Sequence, residues 1–383
     1  MERIGALGMK RKVMTLLLAC SIAVFSMTGC GNDGGKQEEK QQVKERTEET
    51  ERDGMTDRDQ ESVPETDNGQ TAQDEAETAD KQPEETEQAA VRVGSLKGPT
   101  SIGLLKLMKD AEEGNTADTY TFTMETAADA LLPMLIQGKL DIALIPANVA
   151  SVLYHKTEGG IKVIDINTLG VLYMVSADVS LDGIEALKGK TVYLTGKGTT
   201  PDYVLHYILE ENGIREGDIT LEYKSEAAEV AAALAGEPES IGLLPQPFVT
   251  AACVQNENLQ AIFDMTEEWR KLQGEGGSQL VTGVTVVRSA FLEENQEAVD
   301  RFLKAHKASA EFANTQVEET AELAAEKGII EKAPIAVKAI PECNITYMEK
   351  EEMQAALSGY LEVLMERSPE SIGGKLPEAD FYY

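Results

Sequence analysis

From residue 91 to the C-terminus, short β-branched runs alternate with stretches of helical spacing. Residues 91–96 read as a strand that breaks at Lys97-Gly98-Pro99-Thr100-Ser101, and residues 102–108 then carry apolar side chains at helical period. Residues 120–124 alternate as a second strand. Thr126 is placed as a helix N-cap with Asp129 three residues on. The helix it opens, through Ala127, runs to Gln137 and stops at Gly138, a C′ glycine. Pro133 is expected to kink that helix or shift its start. Residues 140–145 form an apolar strand interrupted only by Asp141, and Pro146-Ala147-Asn148 leads into the next helix.

The same cycle recurs after a break. Residues 191–194 predict a strand, 196–201 a turn containing Thr199-Thr200-Pro201, and 203–211 a helix ending at Asn212-Gly213. A strand at 219–223, a helix at 227–235 and a strand at 240–244 follow, ending at Pro245-Gln246-Pro247. Beyond these come a strand at 281–288 and helices at 293–313, 317–327 and 350–366. Strands and helices at βαβ spacing predict an α/β protein of two lobes, each a mainly parallel sheet flanked by helices. The expected division is 91–175 for the first part of lobe 1, 176–246 for lobe 2 and 247–383 for the return part. Two hinge crossings are expected, near 170–177 and 244–248. In open α/β sheets ligands sit beyond the carboxyl ends of the strands. Free N–H groups at helix starts there can hold an anionic or carbonyl-bearing molecule.

The N-terminus has another pattern. Arg3, Lys10, Arg11 and Lys12 precede an apolar run ending at Met27-Thr28-Gly29-Cys30. The run is roughly 15 residues, short of the about 20 a transmembrane helix needs, so residues 1–29 read as a cleaved signal peptide. The four residues ending at Cys30 resemble a bacterial lipobox, which implies a diacylglycerol on Cys30 and attachment to the outer face of the cell membrane. Leu17-Leu18-Ala19-Cys20 has a similar pattern but leaves an h-region of only about seven residues. Residues 30–90 hold about 20 acidic against about seven basic residues and almost no large apolar side chains. Such a segment is expected to be disordered, an acidic tether spanning roughly 45 Å.

The net charge of −32 excludes a nucleic-acid partner, which needs a basic surface. Cys253 and Cys343 lack metal-ligand spacing; they read as two buried thiols or as a disulfide. His155, His206 and His306 stand apart, read as surface or capping residues, and lie in no catalytic motif. No motif calls for a cofactor. Of the aromatics, Tyr120, Tyr154, Tyr173 and Tyr203 could stack on a ring-shaped ligand or pack in the core. Trp269 reads as packing a helix against its lobe.

Four segments carry a family resemblance. Gly-Lys-Leu-Asp-Ile-Ala-Leu-Ile-Pro at 138–146, Leu-Lys-Gly-Lys-Thr-Val-Tyr-Leu at 187–194, Leu-Pro-Gln-Pro-Phe at 244–248 and the closing stretch 371–383 resemble type II periplasmic solute-binding proteins. The branch is that of the nitrate, taurine, aliphatic-sulfonate and thiamine-precursor binding proteins. Gln246 stands where that branch more often has Glu. The resemblance implies capture of a small solute by hinge closure and delivery to an ABC permease and its ATPase. It implies ligand contacts at Lys97, Gly98, Pro99, Thr100, Ser101, Thr126, Ala127, Pro146, Ala147, Asn148, Thr199, Thr200, Pro201 and Gln246. Lys97 and Lys197 could face an anion or be solvated loop charges, and the hydroxyl residues could equally be helix caps. Because some relatives of this fold are enzymes of thiamine-precursor metabolism, an exported enzyme is the alternative, and a binding module feeding a membrane sensor a third.

Overall fold

The computed structural model describes residues 88–237 and 239–383. The expected signal peptide, Cys30 and the expected tether up to residue 87 lie outside the described residues. The chain opens with β1 (Ala90–Leu96), α1 (Pro99–Ile102), α2 (Leu105–Glu112), β2 (Thr119–Glu125), α3 (Ala128–Ile136), β3 (Ile142–Pro146), α4 (Ala147–Lys156) and β4 (Ile161–Leu169). It continues with β5 (Leu172–Ser176), β6 (Thr191–Thr195), α5 (Thr200–Glu211), β7 (Thr220–Lys224), α6 (Ala227–Gly236), β8 (Ile241–Pro245), α7 (Phe248–Gln255), β9 (Gln260–Asp264) and α8 (Met265–Gln273). It closes with β10 (Val281–Arg288), α9 (Ser289–Glu294), α10 (Gln296–Thr315), α11 (Val317–Glu326), α12 (Ala333–Ala339), β11 (Ile345–Met348) and α13 (Lys350–Arg367).

These strands form two sheets, ordered β11-β4-β10-β3-β1-β2 and β7-β6-β8-β5-β9. Both follow one scheme. Three parallel neighbours, β2-β1-β3 and β7-β6-β8, lie beside one antiparallel strand, β10 or β5. Beyond it stands β4 or β9, again antiparallel to the inserted strand. Parallel neighbours need a crossover helix between them. β5 enters its sheet straight from the other lobe through Gly170 and Val171 without a helix, and runs antiparallel. Each sheet is therefore mixed, with its antiparallel insert marking a lobe crossing.

This topology moves the expected lobe boundaries. β5 already belongs to the second sheet, so the first crossing falls at Gly170–Val171 rather than at 175/176. β9 also pairs with β5, so the return lies between α8 and β10 and not at 246/247. Pro245-Gln246-Pro247 is instead the loop at the end of β8. Two helix starts change as well. The helix expected at 102–108 is split into α1 and α2 around Gly103, and Ala127, not Thr126, is the N-cap residue of α3. α3 runs through Pro133 and ends before Gly138, whose φ of +67° suits a C′ glycine.

One core cluster runs through both lobes, joining Leu131, Leu135 and Ile145 of lobe 1 to Val192, Leu205 and Ile208 of lobe 2 by way of Trp269 and Tyr360. α13 supplies Met353, Leu357, Tyr360, Leu361 and Leu364, a helical stripe turned inward. Separate clusters fill the opposite faces of the two sheets. The polar break in the 140–145 strand has a structural cause. Asp141 is fully buried and accepts from the Arg92 side chain and backbone and from Arg288 Nη2 at 3.0 Å. Burial opposes its ionisation, but the two guanidinium groups prevail and hold the carboxyl below its ordinary range. His306, read as a surface or capping histidine, is instead fully buried. Its Nδ1 lies 3.1 Å from Asp165 Oδ2, while Thr285 Oγ1 donates to Asp165 Oδ1 at 2.7 Å.

Candidate functional site

Loops at the ends of the parallel strands bring residues of the two lobes together. Asn148, at the start of α4, is buried; its Nδ2 donates to the Ser371 carbonyl at 3.2 Å. Its Oδ1 accepts from Thr200 Oγ1 of lobe 2 at 3.1 Å. Tyr360 of α13 lies beside Thr200. The hydroxyls of Tyr360 and Ser371 are buried without a hydrogen-bond partner among the described residues. Pro146 and Ala147 stand at the same helix start, and Pro201 occupies the first turn of α5.

The other expected contacts are distributed differently. Thr100 Oγ1 and Ser101 Oγ donate back to the Leu96 carbonyl at 3.1 and 2.6 Å, within a buried α1. Thr100 also packs on Gly283, where an added Cβ would stand 2.8 Å from its methyl group. Pro99 opens α1 after Gly98, and the exposed Lys97 places its ammonium beside Gly328, just past the end of α11. Thr126 and Ala127 are exposed at the end of β2. Thr199 folds its hydroxyl onto the Gly196 carbonyl at 2.5 Å, in a turn where Gly196 and Gly198 adopt φ of +77° and +72°. Gln246 accepts from Thr250 Oγ1 at 2.9 Å and ties its own N–H to Val171 at 2.9 Å, stitching the first crossing.

The charge at the start of α5 is already supplied by the protein. Asp202, buried in the first turn, accepts from Gly198 N at 2.7 Å and from Tyr223 Oη at 2.6 Å. A carboxylate in this place occupies the positive end of the helix that an anionic ligand would use. Burial, then the Asp202 carboxylate, pushes the Tyr223 hydroxyl well above its usual range, keeping it a donor. Lys197 is turned to the Tyr223 ring, 5.1 Å from its centroid. The patterns in the sequence pointed to the Thr and Gly loops. They gave no signal that Tyr360, on the helix expected at 350–366, or Ser371, which opens the closing stretch of the family resemblance, would reach Thr200 and Asn148.

Two cavities open between the lobes on the side of α12. One, of about 490 Å³, has α6 and α7 of lobe 2 as one wall and Ile329, Ile330 and Ile335 of lobe 1 as the other. The second, of about 500 Å³, lies across α7 from it and is lined by Tyr173, Gln246, Thr250, Cys253, Lys338 and Glu342. Cys253 and Cys343 are both free thiols. Tyr173 lies 3.2 Å from the Glu342 carbonyl and Tyr154 bonds Asp380, so both hydroxyls are engaged within the protein. Among the described residues no group of His, Cys, Asp and Glu is arranged to hold a metal ion. Nor is any described helix long and apolar enough to cross a membrane.

Two lobes of one strand order, joined by two crossings, define the type II periplasmic-binding-protein fold, the fold implied by the sequence motifs. Residues 115–366 match the family model described as menaquinone biosynthesis, and the chain belongs to that family. Among solved structures it is similar to an ABC transporter protein from Parabacteroides distasonis, with 24% identity and a TM-score of 0.65 over 77% of this chain and 98% of that one. It is also similar to the periplasmic aliphatic sulphonate binding protein SsuA from Escherichia coli, with 17% identity and a TM-score of 0.61 over 75% of this chain and 96% of the other. A third is the ligand-binding component of an ABC-type import system from Staphylococcus aureus, crystallised with zinc, at 15% identity and a TM-score of 0.57 over 77% and 97%. At these identities the likeness is one of fold. No curated protein sequence matches the chain.

Proposed function

We propose that the chain is an extracytoplasmic solute-binding protein, lipid-anchored through Cys30, that captures a small molecule between its lobes and hands it to an ABC permease and its ATPase. The observation that carries this reading is the pair of like-ordered sheets joined by two crossings, with cavities between the lobes. Hinge closure around a solute is the motion such a frame allows. The similar structures, a sulphonate binding protein and an import-system component, support the same class. In this reading the acidic tether keeps the body beside its membrane partner, and Asn148 and Thr200 are contacts that form as the lobes close.

A thermal-shift panel of nitrate, taurine, aliphatic sulfonates, pyrimidine thiamine precursors and neutral aromatics tests it. A ligand at 100 times its Kd adds about 2.7 kcal/mol of stability. A flat response across the panel overturns the reading. Mass spectrometry of the mature N-terminus is expected to find a lipidated Cys30; an unmodified N-terminus at another residue removes the anchor.

The biosynthetic description of the family favours a second reading, an exported enzyme on the same fold. Fold does not decide between binding and catalysis. Incubating the protein with a bound compound and recovering it unchanged by mass spectrometry supports binding; a new product supports the enzyme.

A further inference from the structure

The cavity between α6, α7 and residues 329–335 has a lining that constrains its occupant. Seven of its sixteen lining residues are alanines, five on one face of α6 and two on α7. An adjoining face of α6 packs Val230 and Leu234 into lobe 2, with Ala227 and Ala231 at the border, and the alanine face is turned to the cavity. Methyl groups make a smooth wall and leave the space open. Ile329, Ile330 and Ile335 close it from lobe 1, and Phe248, 48% exposed at the start of α7, stands at its edge. None of the sixteen residues is basic, and Glu331 is the one ionisable side chain among them.

An anion here would leave water to meet a carboxylate and apolar walls, with no cation to compensate its desolvation. A neutral, largely apolar molecule gains from burial against the same walls. The volume of about 490 Å³ falls in the range of small-molecule sites, roughly 300–1,000 Å³. The two walls belong to different lobes, so an occupant that touches both stabilises their closed arrangement.

We propose that this cavity takes a neutral, predominantly apolar small molecule of aromatic-ring size, with any polar end directed to Gln255, Asn256 or Glu331. This names the ligand class for the solute-binding reading, on which it rests. It runs against oxyanions such as nitrate or sulfonates as the occupant of this cavity.

A matched pair of probes tests it on the full chain: 2-naphthol and naphthalene-2-sulfonate share one ring system and differ in charge. Titration calorimetry near neutral pH is expected to give 2-naphthol at least tenfold tighter binding. Ala231→Trp, which fills the cavity from α6, and Ala228→Trp are each expected to weaken it at least tenfold while the circular-dichroism spectrum stays unchanged. Equal or tighter binding of the sulfonate overturns the inference, as does naphthol binding that both variants leave intact. If taurine or nitrate binds with a lobe closure visible in small-angle scattering and neither variant affects it, the solute-binding reading stands and this inference falls. If no probe of either class binds, both fall.

Discussion

The two flanks of the contact between the lobes are built oppositely. On the α13 side, Trp269 of α8 lies between Tyr207 of α5 and Tyr360 of α13, with ring centroids 4.7 and 5.7 Å away. Arg367 of α13 adds ion pairs to Glu210 and Glu211 of α5. On the α12 side, alanines of α6 and α7 stand across a void from Ile329, Ile330 and Ile335. Large aromatic rings in contact resist separation, because each exposes a large apolar area on opening. Methyl groups across a gap lose little. The difference teaches where to look for a pivot: under the hinge-closure proposal, the lobes are expected to turn about the aromatic flank, with the alanine flank the one that opens and closes.

The largest effect that would break this comparison is at Trp269. It is 1% exposed, and its Nε1 donates to the Ser278 carbonyl at 3.0 Å. Trp269→Ala is expected to cost about 3–5 kcal/mol in denaturant unfolding, the range for large-to-small changes in a core. A loss under about 1 kcal/mol would mean that the aromatic flank contributes little to holding the lobes together. A smaller effect is expected at the loop that enters α5. Asp202→Ala leaves the Gly198 N–H and the Tyr223 hydroxyl without their shared acceptor. About 1–3 kcal/mol is expected, the cost of unsatisfied buried donors. An unchanged midpoint would show that water replaces the carboxylate there and that the start of α5 is free to take an anion.

The sequence carried the repeated half of each lobe, because β1 to β3 and β6 to β8 are joined by helices whose ends are punctuated by Gly, Pro and Thr. Of the two inserted strands it carried β10, expected at 281–288 and found there, but not β5, and it carried the outer strands poorly. β4 is buried along nearly its whole length, so it shows no alternation, and its Asp165, Asn167 and Thr168 look like loop residues. Asp165 and Asn167 are satisfied by tertiary partners, Thr285 and His306, from more than a hundred residues away, and Thr168 donates to Asn167 beside it. β9 went unread, and α8 was read only as the helix that carries Trp269, for a related reason: the prolines flanking Gln246 are strong local punctuation, and the crossing they suggested lies instead after α8. At the site, the strand-end loops were legible as turn-rich segments. The neighbours that Tyr360 and Ser371 provide are set by where α13 and the C-terminal segment pack, and residue spacing does not encode that. The alanines of α6 read simply as good helix formers. Only the placement of α12 opposite them makes a cavity.

The smallest expected effect is chemical rather than energetic, and it reads the open flank directly. Cys253 lines the second cavity beside α7 and is half-buried, whereas Cys343 is fully buried at the lobe 1 end of the same region, with its Sγ 3.2 Å from the Ala339 carbonyl. Burial, then the Glu342 charge, pushes the Cys343 thiol up to about 12; burial raises Cys253 as well. At pH 8 Cys253 is therefore expected to react slowly with a maleimide, and Cys343 not until the protein unfolds. The sign of the linkage follows from the raised value. Below about 8.5 the thiol is protonated in both states. Between there and about 12 the unfolded chain releases a proton that the folded chain keeps, so Cys343 costs stability as pH rises, by about 1.4 kcal/mol per pH unit at most. Cys343→Ser should flatten that slope. If a bound solute closes the alanine flank, it should slow labelling of Cys253 in the folded protein, beyond the slowing of Cys343 that stabilisation against unfolding alone brings. Slowing of Cys343 with Cys253 labelling unchanged would mean that the ligand stabilises the fold without acting at the opening between α7 and α12.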